Sequence, residues 1–328
     1  MNARGGLMPV AAAASLISSG AGLSIAGDES ALRQLPLGNW IGGTIPYFMA
    51  EGGGTVDREQ VFVTPLPAVG SDPVLRWYDV ESLPLLCRNA PENGYTLLIV
   101  PAFGPCHAAF AQNAPNYEDM YLKPLIGWVA GVHLDDLAER SPKVVLGSTG
   151  EFSDQHAVAM EVSLPPTAFA HIDIVNLFQP GDGPVFRFEQ GGFAADACLI
   201  DGQPGRLGEY LRRSAADTRL PLVADYCGAL INVSIKAVGA DGQVEFYAPV
   251  FPGVDYRLAA PLADYMGAFR QSLPAIEGGL AFSCNCILNF LYSGLAGERT
   301  GPLLGPITFG EIAYQLLNQT LVYLSIEQ

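Results

Sequence analysis

The 328-residue chain carries 17 basic and 33 acidic residues, a net charge of −16, and is 49% hydrophobic and 15% charged. Disorder needs the opposite balance, few apolar residues and many charges, so a folded chain with broad buried sheets is expected. An acidic field of this size excludes nucleic acid as a main partner, because phosphate binding rests on Lys and Arg, and the length allows one large or two medium domains.

The amino terminus, Met1 to Gly27, imitates a secretory leader, with Arg4, an Ala-rich run from Val10 to Ile17 and Ser24-Ile25-Ala26 as a cleavage-like triplet. Ser15, Ser18, Ser19 and Gly20 interrupt the run, which favours a small-residue first helix. No apolar stretch approaches the roughly 20 residues of a spanning helix. A soluble, cytoplasmic protein without a membrane partner is therefore the expectation.

Apolar runs rich in β-branched and aromatic residues predict strands over Trp40–Phe48, Val74–Val80, Tyr95–Val100, Leu125–Val132, Val144–Gly147 and His156–Leu164. Asp28–Leu35, Pro105–Gln112 and His133–Glu139 read as helices between them. After Leu164 the pattern turns to antiparallel hairpins, with His171–Phe178 and Val185–Glu189 around Pro180-Gly181-Asp182-Gly183. A helix over Arg206–Ala215, strands Ala229–Val238 and Val244–Tyr247 about the turn Ala240-Asp241-Gly242, and a helix over Pro261–Leu273 follow. Strands Leu280–Cys286, Ile307–Ala313 and Thr320–Ile326 close the chain.

The alternation predicts an α/β protein of two pseudo-equivalent units, each a mixed sheet flanked by helices, divided as 1–200 and 201–328. The likeness of Leu35-Pro-Leu-Gly-Asn-Trp-Ile-Gly-Gly-Thr to Pro302-Leu-Leu-Gly-Pro-Ile-Thr-Phe-Gly-Glu is a faint internal echo of such a repeat, or the chance similarity of two Gly-rich strands.

Chemistry-bearing patterns are sparse. Six scattered cysteines, with no CxxC pair, read as reduced thiols, and the four histidines lack metal-ligand spacing, so no metal site and no cofactor are expected. P-loop, GxGxxG, GxSxG and zincin motifs are absent. Two segments place polar residues inside apolar strands. Gly38–Tyr47 offers Asn39, Thr44 and Tyr47 around the pair Gly42-Gly43, and the carboxyl-terminal stretch offers Ser283, Cys284, Asn285, Glu311 and Asn318. These eight are the candidate ligand-binding residues.

The succession Phe282-Ser283-Cys284, then Pro306-Ile307-Thr308-Phe309-Gly310-Glu311-Ile312, then Asn318-Gln319-Thr320-Leu321 resembles the end of the FIST sensory domain family, whose members carry a GEI strand and an NQT segment. Upstream, Gly38–Tyr47 takes the place of a family strand but without its cysteine or glutamate, and Asn285-Cys286-Ile287-Leu288 stands where the family tends to have an arginine. The resemblance implies a bacterial signal-input module for amino-acid-like or other small ligands, with haem in some members. With no output domain in view, the expected role is a stand-alone sensor or adaptor with a small-molecule ligand and a signalling partner. Haem is not expected, since His107 and His133 fall at predicted helix starts and His156 and His171 at strand starts, positions that usually meet solvent. A cysteine-nucleophile enzyme using Cys284 or Cys106, and a ligand-free interaction scaffold, are the alternatives.

Overall fold

Three strand–helix–strand passages organise the larger part of the computed structural model, which describes residues 5–67, 72–226, 228–272 and 279–327. In each, the two strands run parallel. Leu23–Gly27 pairs with Trp40–Thr44 across the short helix Glu29–Leu32. Gly94–Pro101 pairs with Leu125–Ala130 across the helix Pro105–Asn113. Gly279–Cys286 pairs with Gly305–Thr308 across the helix Ile287–Tyr292. The protein is thus of the mixed α/β class that the alternating pattern predicts.

By contact the chain forms two compact units. The first comprises the described residues of Met1–Ile174, Pro274–Leu316 and Leu321–Gln328, and the second those of Val175–Leu273 and Leu317–Thr320. The expected break at 200/201 therefore falls inside the second unit. The change of texture after Leu164 lies nearer the true passage, and no local signal marks the return of Leu317–Thr320.

Unit one is built on three six-stranded sheets. The first runs in the order Gly6–Pro9, Gln60–Pro65, Leu23–Gly27, Trp40–Thr44, Val144–Leu146, Glu151–Ser153. The second runs Gln315–Leu317, Glu311–Ala313, Leu125–Ala130, Gly94–Pro101, Ala157–Ser163, Val74–Tyr78, and the third Phe169–Val175, Leu321–Glu327, Gly279–Cys286, Gly305–Thr308, Tyr47–Ala50, Gly53–Val56. Gly94–Pro101 is buried at every position, as a parallel strand covered on both faces must be. Its Leu98 and Val100 pack with Cys106 and Phe110 of the following helix, while Ile99 faces Gly43 of the first sheet. The leader-like residues 10–27 belong to this architecture, with Ala13, Ile17, Leu23 and Ile25 in one core cluster.

Three expected strands are each broken in two, and of these Ala229–Val238 parts at Ser234 so that Ala229–Val233 and Ile235–Val238 enter different sheets. Trp40–Phe48 divides at Ile45-Pro46, where proline lacks an N–H for the ladder, and Trp40–Thr44 and Tyr47–Ala50 enter different sheets. Ile307–Ala313 divides at Phe309-Gly310, so that Gly305–Thr308 and Glu311–Ala313 also enter different sheets. The echoed segments thus share one device, the second strand of a parallel passage followed by a step into a neighbouring sheet, and both occurrences lie within unit one. The expected helix His133–Glu139 is only the 3-10 turn Leu134–Asp136.

Unit two is unlike unit one, which corrects the expectation of equivalent halves. Its six-stranded sheet, ordered Gln203–Arg206, Ala197–Ile200, Phe186–Arg187, Asp255–Leu258, Leu222–Tyr226, Ala229–Val233, is antiparallel throughout. A three-stranded sheet of Gly192–Ala195, Val244–Val250 and Ile235–Val238 carries the predicted hairpin, with Gly242 N donating to Gly239 O. Phe186, Phe188, Phe246 and Tyr256 fill the core beneath the helix Leu207–Arg213, and Tyr265–Ser272 realises most of the helix expected to reach Leu273, which lies outside the described residues.

Candidate functional site

The carboxyl ends of parallel strands are where open α/β sheets collect ligands, because the chain turns there into loops and helix starts whose backbone groups are unspent. In unit one the strand Gly94–Pro101 ends in Ala102-Phe103-Gly104 before the helix Pro105–Asn113. Gly104 precedes that helix without a side-chain cap, and a Cβ there would sit 2.5 Å from the Asp154 carbonyl, so only glycine lets the loop lie this close. Phe103 is held at φ 65°, a conformation costly for a bulky residue, and is 58% exposed. Its ring meets Phe309 edge-on at 6.1 Å between centroids.

A cleft of about 460 Å³ opens beside Phe103. Ala102–Gly104 form one wall, Leu137–Pro142 a second, and Asp154-Gln155 a third. Leu137 adds exposed apolar surface, while Ser141 Oγ donates to Asp154 Oδ2 at 2.9 Å and Gln155 Nε2 to Asp154 Oδ1 at 2.9 Å. These bonds hold the Asp154 carboxyl below its ordinary value, the Gln155 bond first. The cleft thus offers an aromatic face, an aliphatic wall and a fixed carboxylate.

Two of the sequence-identified residues stand behind this cleft. Tyr47 Oη accepts from Leu134 N at 3.1 Å, its ring stacks on His133 at 5.5 Å, and burial raises its phenol. Thr44 Oγ1 accepts from Lys143 N at 2.9 Å. The two side chains anchor opposite ends of the strap 134–143 that carries the second wall. Asn39 is half-buried ahead of Trp40–Thr44, where its carbonyl accepts from Leu23 N at 3.0 Å.

An ion-pair network fixes the middle of the strap. Arg140 Nη1 lies 3.1 Å from Asp28 Oδ2 and 3.3 Å from Asp136 Oδ2, Arg58 Nη1 lies 3.0 Å from Asp136, and Lys143 Nζ lies 2.9 Å from Glu29. Burial pushes the Asp28 carboxyl up, but the Ser30 amide and Arg140 outweigh it and the net displacement is downward. Glu29 follows the same balance, with Lys143 and Arg33 opposing burial, and Asp136 is lowered chiefly by Arg58. A carboxyl lowered by folding stabilises the protein above its unfolded value, and that contribution disappears as pH falls through the folded one. The stability difference between wild type and Arg140→Met is accordingly expected to be full at neutral pH and to shrink below about pH 4. Urea unfolding of both proteins across that range measures it, and a pH-independent difference would assign Arg140 a packing role alone.

The carboxyl-terminal candidates are distributed otherwise. Cys284, Asn285 and Glu311 are 2%, 2% and 0% exposed. Cys284 Sγ donates to Gly127 O at 3.5 Å, and its thiol is raised well above the ordinary range, by burial first and the nearby Glu311 second. Thr308 Oγ1 donates to Gly310 O at 2.9 Å and reaches Glu311 Oε1 at 3.5 Å, and Asn285 Oδ1 accepts from Asn289 Nδ2 at 3.0 Å. Ser283 Oγ donates to Leu304 O at 2.7 Å and borders a separate cleft of about 270 Å³ with Phe62–Pro65 and Pro302. An enclosed thiol with a raised pKa is a poor nucleophile. Cys106, which donates to Tyr78 O at 3.5 Å, is raised by burial too.

Asn318 does not sit on a strand beside Glu311, as the pattern suggests. It lies in a bend of the segment Leu317–Thr320, within unit two. Asn232 Nδ2 donates to Asn318 O at 3.2 Å and Gln319 O at 3.4 Å, Asn176 and Asn232 exchange amide bonds at 3.0 Å each, and Ser234 Oγ donates to Gln319 Oε1 at 2.7 Å. This segment is a structural clasp within unit two.

His107 departs from expectation as well. It is 9% exposed rather than solvent-facing, and burial lowers its imidazole to about 4. Five cysteines are free and buried, Cys227 lies outside the described residues, and among the described residues no group of His, Cys, Asp and Glu could hold a metal ion. Nor, among the described residues, is any helix long and apolar enough to cross a membrane. Phe103, Leu137, Arg140 and Asp154 escaped the sequence reading. The one local signal was Phe103-Gly104-Pro105, a proline-started helix closely following the apolar run Leu97–Val100.

Fold and cleft together describe a two-unit mixed α/β protein with an open site at the ends of parallel strands. The chain belongs to DUF6976, a family of unknown function whose model matches residues 8–327. No curated protein and no solved structure matches it.

Proposed function

We propose that the protein is a non-catalytic sensor that binds a small molecule in the cleft beside Phe103, a cytoplasmic relative in kind of the FIST signal-input domains of bacteria. The observation that carries the reading is a strained, exposed aromatic residue at the mouth of a cleft beyond the end of a parallel strand. Strain of this kind persists where the surroundings over-determine it and clusters at ligand clamps. The ligand rests an apolar body on Phe103 and Leu137 and turns a polar group to Asp154, a combination that suits an amino-acid-like molecule. Raised and buried thiols at Cys284 and Cys106 speak against the cysteine enzyme. A net charge of −16 speaks against nucleic acid as a partner.

Thermal-shift screening against amino acids, small carboxylic acids and amines tests the reading, with Phe103→Gly as the informative variant. Glycine at φ 65° relieves backbone strain worth about 1 kcal/mol and loses an edge contact with Phe309 of similar size, so its melting temperature should stay close to wild type while the ligand-induced shift vanishes. A ligand response equal to wild type in Phe103→Gly would move the site elsewhere, and the absence of any response across the screen would count for the scaffold reading.

A further inference from the structure

The strand Phe169–Val175 is the outermost member of the third sheet of unit one, with Leu321–Glu327 on its inner side. Among the described residues no strand pairs with its other edge, whose backbone groups are then available to a further strand, the situation that soluble proteins usually blunt with lysine, proline or a bulge. Phe-Ala-His-Ile-Asp-Ile-Val contains neither lysine nor proline. Phe169 is 54% and Ile174 37% exposed, and His171 and Asp173 are exposed between them, while Ala170 and Ile172 are half-buried. His171 and Asp173 therefore share the solvent face of the strand.

We propose that this edge pairs antiparallel with the same strand of a second copy of the chain, about a two-fold axis at Ile172. The commitment to a second copy comes from the charge pattern. In an antiparallel pair centred on Ile172, directly opposed residues have numbers equidistant from it, and opposed residues project from the same face. His171 of each copy then faces Asp173 of the other, twice, on the solvent side. Ala170 faces Ile174, small against large, and Phe169 faces Val175. A shift of the centre by one residue to Asp173 would set Asp173 against itself and Ile172 against Ile174, so the charges select the register. His171 Nε2 already lies 3.3 Å from Glu327 Oε2, which leaves its other ring nitrogen for the second copy. Tyr323 donates to Asp173, whose carboxylate has further lone pairs to offer. The result is one continuous sheet across the axis. Because a single strand edge buries little area, the dimer is weak and concentration-dependent.

Sedimentation equilibrium of the full chain over a range of protein concentrations, with charge-exchanged variants, provides the test. Wild type is expected to show a reversible monomer–dimer equilibrium. His171→Asp opposes Asp to Asp and Asp173→Lys opposes Lys to His, so each alone should weaken self-association roughly tenfold or more. An equimolar mixture of the two restores both opposite-charge contacts and should dimerise at least as well as wild type. Ile174→Lys, a natural edge-blocking residue, should give a monomer. A wild type that stays monomeric at every concentration overturns the proposal, as does a dimer that the single variants leave intact or that the mixture fails to restore. Should a variant fold poorly, hydrogen exchange of the wild type decides instead. Amides of residues 169–175 must gain protection as concentration rises, and unchanged exchange there excludes this edge.

Discussion

Replacing Gly43 by valine is expected to cost about 3 kcal/mol, near the upper end of what overpacking a filled core costs. A Cβ at Gly43 would lie 2.7 Å from Trp128 Cη2, 2.8 Å from Ile99 Cγ2 and 3.1 Å from the Ala130 Cβ. These belong to the second sheet, and Gly43 belongs to the first, so the glycine sets how closely two sheets of unit one stack. All three neighbours are fully buried, leaving none of them room to withdraw. At Gly42 the obstacle differs, since a Cβ would lie 2.7 Å from the Ile25 carbonyl within its own sheet. At both positions the space for a side chain is already filled by protein atoms, by the second sheet at Gly43 and by neighbouring strands of the same sheet at Gly42. Urea unfolding gives the magnitude, and a double-mutant cycle with Trp128→Phe gives the cause. Shortening the indole removes the nearest obstacle, so Gly43→Val should cost less in the Trp128→Phe background by about 1 kcal/mol or more. Additive losses would place the strain elsewhere.

How far the sequence announces this structure depends on whether the signal is local. The strands Gly94–Pro101, Leu125–Ala130 and Ala157–Ser163 were legible because buried strands read as short, largely apolar runs between turn signals. Their partners were not legible, since register is set by groups far apart in the chain, as when Leu321–Glu327 comes to lie between Phe169–Val175 and Gly279–Cys286. Pro46 was a visible reason to divide Trp40–Phe48, and the pattern of apolar residues around it masked the break. The segment His133–Glu139 has helical composition but belongs to the strap 134–143, which Tyr47, Thr44 and Asp28 hold at Leu134, Lys143 and Arg140, and tertiary bonding overrode propensity.

The candidate site shows the same division. Polar residues within apolar strands do mark places where side chains take up backbone groups, and Thr44, Tyr47 and Ser283 each do so. What composition cannot reveal is which side of such a residue a ligand would occupy. Thr44 and Tyr47 support a wall of the cleft from behind, while Phe103, whose importance lies in a backbone angle, looks like any loop aromatic until φ is known. The Asn-Gln-Thr segment is instructive in another way. Its polarity suggested a ligand, yet its main-chain carbonyls and the Gln319 side chain join Leu317–Thr320 to Asn232, Ser234 and Arg219, while Asn318 Oδ1 is buried with no hydrogen-bond partner among the described residues.

That clasp leads to the second large effect, the loss of Asn232. Its amide nitrogen serves three acceptors, Asn176 Oδ1 at 3.0 Å, Asn318 O at 3.2 Å and Gln319 O at 3.4 Å, and its oxygen accepts from Asn176 at 3.0 Å. Asn232 and Asn318 are each 0% exposed and Gln319 is 2% exposed, so water cannot replace the missing donor without opening the segment. Each buried polar group left without a partner costs about 1–3 kcal/mol, and Asn232→Ala strands the two main-chain carbonyls together, giving an expected loss of about 3 kcal/mol or more. Asn232→Asp is the sharper variant. It nearly preserves shape and retains the acceptor for Asn176, but it turns a carboxyl toward two carbonyl oxygens, so it should be at least as damaging as alanine at neutral pH. Because Gln319 sits at φ 50°, a conformation that persists only while its surroundings hold it, release of the clasp should free the segment locally before the whole chain unfolds. Hydrogen exchange resolves this. In either variant, amides of Leu317–Thr320 and Ala229–Val233 should exchange faster by a larger factor than those of Gly94–Pro101 in the core of unit one. If Asn232→Asp melts like wild type, or if protection falls equally in both units, the Asn-Gln-Thr segment is not held by this amide and its polarity needs another explanation.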